Sequence, residues 1–192
     1  MRVFRVHPWD QKARPDEPFG ALYIPRGQGV GRWDNPDLYR LRYFSTTPQG
    51  AIAETFGALA SWSNTMFHFP GPPSLPRALS SYELSDDIRI ADLADITTLT
   101  TLGINRFTDI TQRNKRQTQR LAATIDESGR WDAISWWSYY HPTITLVATW
   151  TDEHIELVDT TALTIDNPAV IEAANLIVRP FRDAPTGSAM NA

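Results

Sequence analysis

Within residues 29–57, GVGRWDNPDLYRLRYFSTTPQGAIAETFG, an arginine, a tyrosine and a glutamate recur at equal intervals of eleven residues: Arg32, Tyr43 and Glu54. A guanidinium is a planar fork that grips phosphate or ribose oxygens through two parallel hydrogen bonds, and the glycine amides beside Arg32 are expected to approach the same anion. A phenol ring stacks on a planar base. A carboxylate hydrogen-bonds a ribose hydroxyl and stabilises positive charge as a glycosidic bond breaks, because such transition states resemble an oxocarbenium ion. Together the three suit an anionic glycoside carrying an aromatic base, such as a dinucleotide. Each also has a plain structural alternative that residue type leaves open: Arg32 as a solvated loop charge, Tyr43 as a core aromatic, Glu54 as a surface residue of a helix.

Other chemistries find less support. His7, His68, His141 and His154 are dispersed and match no metal-ligand spacing, so no metal is expected. There is no cysteine, which excludes thiol nucleophiles and disulfides and fits a reducing compartment. No G-x-S-x-G elbow is present. The run Arg26–Trp33, RGQGVGRW, alternates glycine into a loop that exposes backbone, but it lacks the flanking strand and helix of a dinucleotide fingerprint. Eighteen basic against twenty-two acidic residues give a net charge of −4 and argue against a nucleic-acid partner. Sixteen of the basic residues are arginines, with Lys12 and Lys115 the two lysines, which reads either as a compositional habit or as anion binding. The N-terminus has no apolar secretion core, and no apolar run is long enough to span a bilayer, so a soluble chain is expected.

The elements that must position these residues follow from patterning. At 192 residues one domain is the expectation. Strands are predicted at Val3–Val6, Leu38–Ser45, Ser80–Leu84, Ile88–Asp92, Trp131–Ser138, Thr143–Trp150 and Ile155–Val158, and extended chain at Ala21–Ile24. Ser85–Asp87 reads as the turn between the third and fourth of these. Thr47 and Pro48 read as N-cap and first residue of a helix to about Ser61, with Ile52, Phe56, Leu59 and Ala60 on its buried stripe and Glu54 rotated away. A second helix is expected over Thr111–Glu127, stopped by Gly129, and a third from Asn167-Pro168 to about Leu176. Asn64–Arg77 reads as irregular, and Thr97–Thr101 fits either helix or strand. Strands arrive in clusters rather than in a βαβ rhythm. The expectation is an α+β fold with a mixed, mainly antiparallel sheet and flanking helices.

In combination the motifs resemble the RES domain family, named for its Arg, Glu and Ser. The order is an Arg in a GxRW loop, a Tyr before a strand end of small residues, and a Glu in an AxAE-like helix. It continues with a helix containing Thr118-Gln119-Arg120-Leu121-Ala122, then Gly129, then WDAISWWS ending at Ser138, the match to the signature serine. Val3-Phe4-Arg5-Val6 is similar to the family's first strand. The resemblance covers about residues 2–150. Asp34 stands where the family usually has Asn, so the loop's hydrogen bonding is expected to differ there.

The resemblance implies a fold similar to that of ADP-ribosyltransferases and a cytoplasmic toxin of a toxin–antitoxin pair. Such a toxin depletes NAD⁺, its substrate, by hydrolysis or phosphorolysis of the nicotinamide–ribose bond. Arg32 would bind the dinucleotide, Tyr43 position its nicotinamide–ribose end, Glu54 stabilise the oxocarbenium ion, and Ser138 orient substrate or Glu54. A helix-turn-helix antitoxin would hold the chain inactive. Two alternatives are an ADP-ribosyltransferase acting on a specific protein and a catalytically silent nucleotide- or partner-binding module. Residues 1–182 are expected to form the domain, with 151–182 adding a strand and helix, and residues 183–192 a flexible tail.

Overall fold

The computed structural model describes residues 1–71, 74–106, 108–111 and 114–183. Most of the predicted tail, from residue 184 on, lies outside the described residues. In chain order the strands are β1 (Arg2–Pro8), β2 (Arg42–Ser45), β3 (His68–Phe69), β4 (Leu75–Leu84), β5 (Ile90–Asp92), β6 (Ala133–Trp137), β7 (Thr145–Thr149) and β8 (Ile155–Ala162). The helices are α1 (Pro48–Phe56), α2 (Ile96–Thr101), α3 (Thr108–Thr111), α4 (Lys115–Glu127) and α5 (Pro168–Leu176), with a 3₁₀ turn at Asn64–Phe67. The strands form one sheet in the order β3-β4-β1-β2-β7-β6-β5, with β8 also paired to β4. Among the described residues only strands β5 and β6 run parallel, so the α+β class with a mainly antiparallel sheet is the observed one. Among the described residues no helix is long and apolar enough to cross a membrane.

Both faces of the sheet are covered, because strand side chains alternate. Leu146 and Ala148 of β7 face a large core that includes Ile52 and Phe56 of α1, Ile125 of α4 and Val170 of α5. Val147 between them faces a smaller core with Val3, Phe44, Tyr82 and Leu84. The sheet is weakest at its centre. β1 is in register with β4 over seven residues but with β2 at one pair, Phe4 opposite Ser45. The two halves of the sheet diverge there, and that divergence opens the cleft described below.

Several predicted elements are shorter or differently placed, each for a tertiary reason. Ala21–Ile24 is not extended in a sheet: its carbonyls accept from side chains, Ala21 O from Tyr82 Oη, Leu22 O from Arg42 Nη2 and Tyr23 O from Arg5 Nη1. Leu38–Ser45 is strand only from Arg42. Leu38 and Tyr39 turn back onto the Asn35 carbonyl, and the Gln28 side chain bonds both the amide and the carbonyl of Leu41, standing in for a neighbouring strand. α1 stops at Phe56 rather than Ser61, because the Gly57 carbonyl accepts from both Nε and Nη2 of Arg179, 122 residues away. Leu59 and Ala60 therefore leave the core stripe and are exposed.

Ile88–Asp92 contracts to β5, which lies at the far edge of the sheet, parallel to β6, rather than returning along β4; the chain does turn at Asp86–Asp87. The helix expected from Thr111 begins at Lys115, with Asn114 as its cap, and α3 precedes it. Thr97–Thr101 is helical, as part of α2, capped by Asp95. The described residues of Asn64–Arg77 are more regular than composition suggests, holding the 3₁₀ turn, β3 and the start of β4. Conversely, Thr47 caps α1, Asn167 caps α5 and Gly129 stops α4 at φ 61°, each as predicted.

Candidate active site

The diverging strands leave a cleft of about 440 Å³ lined by Arg32, Tyr43 and Glu54 together with residues of β1, β2, α1, β6 and β7. Three side chains that sequence spacing singled out thus converge on one cavity. Tyr43 enters from β2, whose neighbouring Phe44 points to the opposite core. Glu54 projects from the cleft side of α1, while Ile52, Ala53 and Phe56 are buried. The close seating of α1 requires Gly50, where a Cβ would lie 2.2 Å from Ser45 Oγ and 2.7 Å from Ile144 Cγ2.

Ser138 follows β6 and is buried, so it reaches the cleft through Glu54 rather than lining it. Its hydroxyl accepts from the Tyr140 amide at 2.9 Å and donates to Glu54 Oε1. With the amide occupying one lone pair, the proton is directed at the carboxyl group. Of the two tasks the resemblance implies for Ser138, orientation of Glu54 is the one this geometry supports.

The electrostatics of the cleft oppose burial to pairing. The Glu54 carboxyl opens to solvent on the cleft side, yet the protein around it raises its pKa by desolvation, against the Ser138 hydrogen bond and the Arg32 charge, which lower it. Burial lowers the Arg32 pKa, with Glu54 and Tyr43 opposing. Arg32 is held at its other end: Nη2 donates to the Ile110 carbonyl, and the guanidinium lies 5.2 Å from the Trp33 ring. Tyr43 is raised by burial and by its bond to Asp34.

The loop that carries Arg32 is tied on both sides. Its carbonyls accept from α4: Val30 O from Lys115 Nζ, Gly31 O from Gln119 Nε2 and Arg32 O from Thr118 Oγ1. Its amides at Gly29 and Gly31 donate to Asp34 Oδ2 at 2.9 and 2.6 Å. The expectation that glycine amides approach the same anion as Arg32 is therefore corrected, since an internal carboxylate already occupies them.

Four further residues of the site were not marked by spacing. Arg5 of β1 lines the cleft, while its guanidinium donates to the Tyr23 carbonyl and burial lowers its pKa; the short first-strand motif held the signal. Trp136 of β6 forms the cleft's aromatic backing, edge-on to Trp33 at 5.5 Å and to Tyr43 at 6.1 Å. Tyr139 stands at the cleft, 79% exposed, where a packing role would have buried it. Asp34 stands out in the sequence only as a departure from the family's usual Asn.

The chain is thus an α+β domain whose split sheet carries arginine, tyrosine and a serine-held glutamate in one cleft. The family model of the RES domain matches residues 2–170, and the chain belongs to the RES domain family. That span extends the sequence resemblance beyond residue 150, through β8 and into α5. The fold is similar to that of a chain in the crystal structure of the M. tuberculosis MbcT-MbcA toxin–antitoxin complex, with a TM-score of 0.59 at 15% identity over 92% of this chain and 88% of that one. No curated protein sequence matches this chain significantly.

Proposed function

We propose that this chain is a toxin that depletes NAD⁺ by breaking the bond between nicotinamide and ribose, and that residues 1–182 act as one catalytic domain. The observation that carries the reading is the convergence of Arg32, Tyr43 and the Ser138-held Glu54 on one cleft in a chain of the RES domain family. Nicotinamide in NAD⁺ is already cationic, so it departs with the bonding electron pair as a neutral molecule and needs no acid to protonate it. The demand on the protein is to position the substrate and to stabilise the positive charge left on the ribose. Arg32 binds the dinucleotide's oxygens, Tyr43 holds the nicotinamide–ribose end, and Glu54 supplies the negative charge beside the forming oxocarbenium ion. Ser138 orients Glu54 and holds it toward the ionised form. Water or phosphate then adds to the ribose carbon.

The neighbour in the M. tuberculosis toxin–antitoxin complex supports an antitoxin partner; by the family resemblance that partner is of helix-turn-helix type and silences the chain, in a cytoplasmic setting where NAD⁺ is available. The test is NAD⁺ consumption by the purified protein with and without phosphate, with products resolved. Release of nicotinamide with free ADP-ribose identifies hydrolysis, and ADP-ribose phosphate identifies phosphorolysis. Label retained on protein would instead identify a transferase, and intact NAD⁺ under every condition would remove the enzymatic reading.

A further inference from the structure

Asp34 is 5% exposed and accepts three hydrogen bonds that tie separate pieces of the cleft wall together. Oδ2 takes the Gly29 and Gly31 amides, and Oδ1 takes the Tyr43 hydroxyl at 2.7 Å. The same Tyr43 oxygen accepts from the Trp33 amide at 3.2 Å. Gly31 sits against this junction so closely that a Cβ there would lie 2.5 Å from both Asp34 Oδ1 and Tyr43 Oη. The junction thus spans the residues on either side of Arg32 and fastens them to β2.

We infer that Asp34 is a positioning residue for the reaction proposed above, a built-in anion that fills the glycine amide cradle and accepts the hydrogen bond of the Tyr43 hydroxyl. Two consequences follow. The loop cannot offer its Gly29 and Gly31 amides to a substrate phosphate, so anion binding falls to the Arg32 guanidinium, whose loop Asp34 holds in place. Tyr43, with its one proton committed to a carboxylate that has none to return, cannot donate to the substrate through its hydroxyl. It contributes its ring and acts as the post to which the Arg32 loop is tied.

The test compares Asp34→Ala, Asp34→Asn and Gly31→Ala with the wild type by two readouts. The first is amide hydrogen exchange at Gly29 and Gly31, which reads the latch without reference to activity. The second is the split between KM for NAD⁺ and kcat. Asp34→Ala is expected to speed exchange at both glycines and to raise KM about tenfold or more with a smaller change in kcat, because hydrogen bonds to a charged group are lost. Asn keeps an acceptor oxygen for the two amides, so Asp34→Asn is expected to retain their protection and to hold KM within about threefold of wild type. Gly31→Ala is expected to behave like Asp34→Ala, by wedging the junction apart.

Unchanged exchange at the two glycines in Asp34→Ala would overturn the latch. Faster exchange with unchanged KM would overturn the positioning role. The inference rests on the NAD⁺ reading for its kinetic half alone. A wild type that leaves NAD⁺ intact removes that reading and the positioning role with it, and exchange then decides the latch independently.

Discussion

The two walls of the cleft are built by different physics. The wall that carries Arg32 is a loop anchored by the fully buried Trp33 and otherwise held by polar ties: α4 occupies its carbonyls and Asp34 its amides. The wall that carries Glu54 is a helix seated by shape, with Gly50 against Ser45 and Ile144, Gly57 against the Tyr140 ring, and Ile52 and Phe56 fully or nearly fully buried. At its functional group the helix wall has one polar tie, the Ser138 hydroxyl. A loop tied by hydrogen bonds fails when a donor or acceptor is removed, or when an added methyl group, as at Gly31, pushes donor and acceptor apart. A helix seated by contact fails when a methyl group is added or taken away. In the reaction proposed above, the cation-stabilising charge of Glu54 is on the packed wall, and Arg32, proposed to bind the dinucleotide's oxygens, is on the hydrogen-bonded one.

The largest expected effect tests which wall does the chemistry. Glu54→Gln keeps shape and removes charge, so turnover should fall roughly 10²–10³-fold while NAD⁺ affinity stays within a few-fold. Steady-state kinetics beside calorimetric binding measures both, and full turnover in the variant would move the chemistry away from the helix wall. Next, Gly50→Ala places a methyl group where no room exists and should cost about 1–3 kcal/mol of stability in urea unfolding. A variant as stable as wild type would show that α1 is not seated by shape.

His7 on β1 offers a control outside both walls. It is 4% exposed, its Nδ1 donates to the Pro8 carbonyl and its Nε2 accepts from Ser80, which is in turn bonded to Thr160. Burial is the main reason its pKa falls from 6.5 to about 4, with the Arg5 charge adding to it. The folded form therefore binds the proton less well than the unfolded chain, so its contribution to stability is complete above pH 6.5 and is lost as pH falls toward 4. Up to ~3 kcal/mol should disappear over that window. His7→Gln should flatten that part of the urea midpoint curve, and an unaltered slope would exclude His7 as its source.

The smallest effect sharpens the role of the single polar tie. Ser138→Ala removes the bond that lowers the Glu54 pKa, so the acid limb of the pH–rate profile should move to higher pH and turnover near neutrality should fall about tenfold. A fall in rate with no movement of the acid limb would mean that Ser138 acts on something other than the ionisation of Glu54.

Local chemistry alone determined the caps at Thr47, Asn167 and Gly129, the strand content of the second half, the α+β class, and the short motifs that mark Arg32, Tyr43 and Glu54. Each depends on a few adjacent residues or on the alternation of apolar side chains, and those are printed in the chain. Tertiary structure decided the remainder. Arg179 ended α1 from 122 residues away, Gln28 replaced a strand beside Leu41, and three side chains took the carbonyls that would have made Ala21–Ile24 a strand. It also put Asp34 into the glycine cradle and brought Arg5, Trp136 and Tyr139 to the cleft. These outcomes turn on which backbone groups find distant side-chain partners, and a buried donor or acceptor takes whichever partner the fold brings within reach.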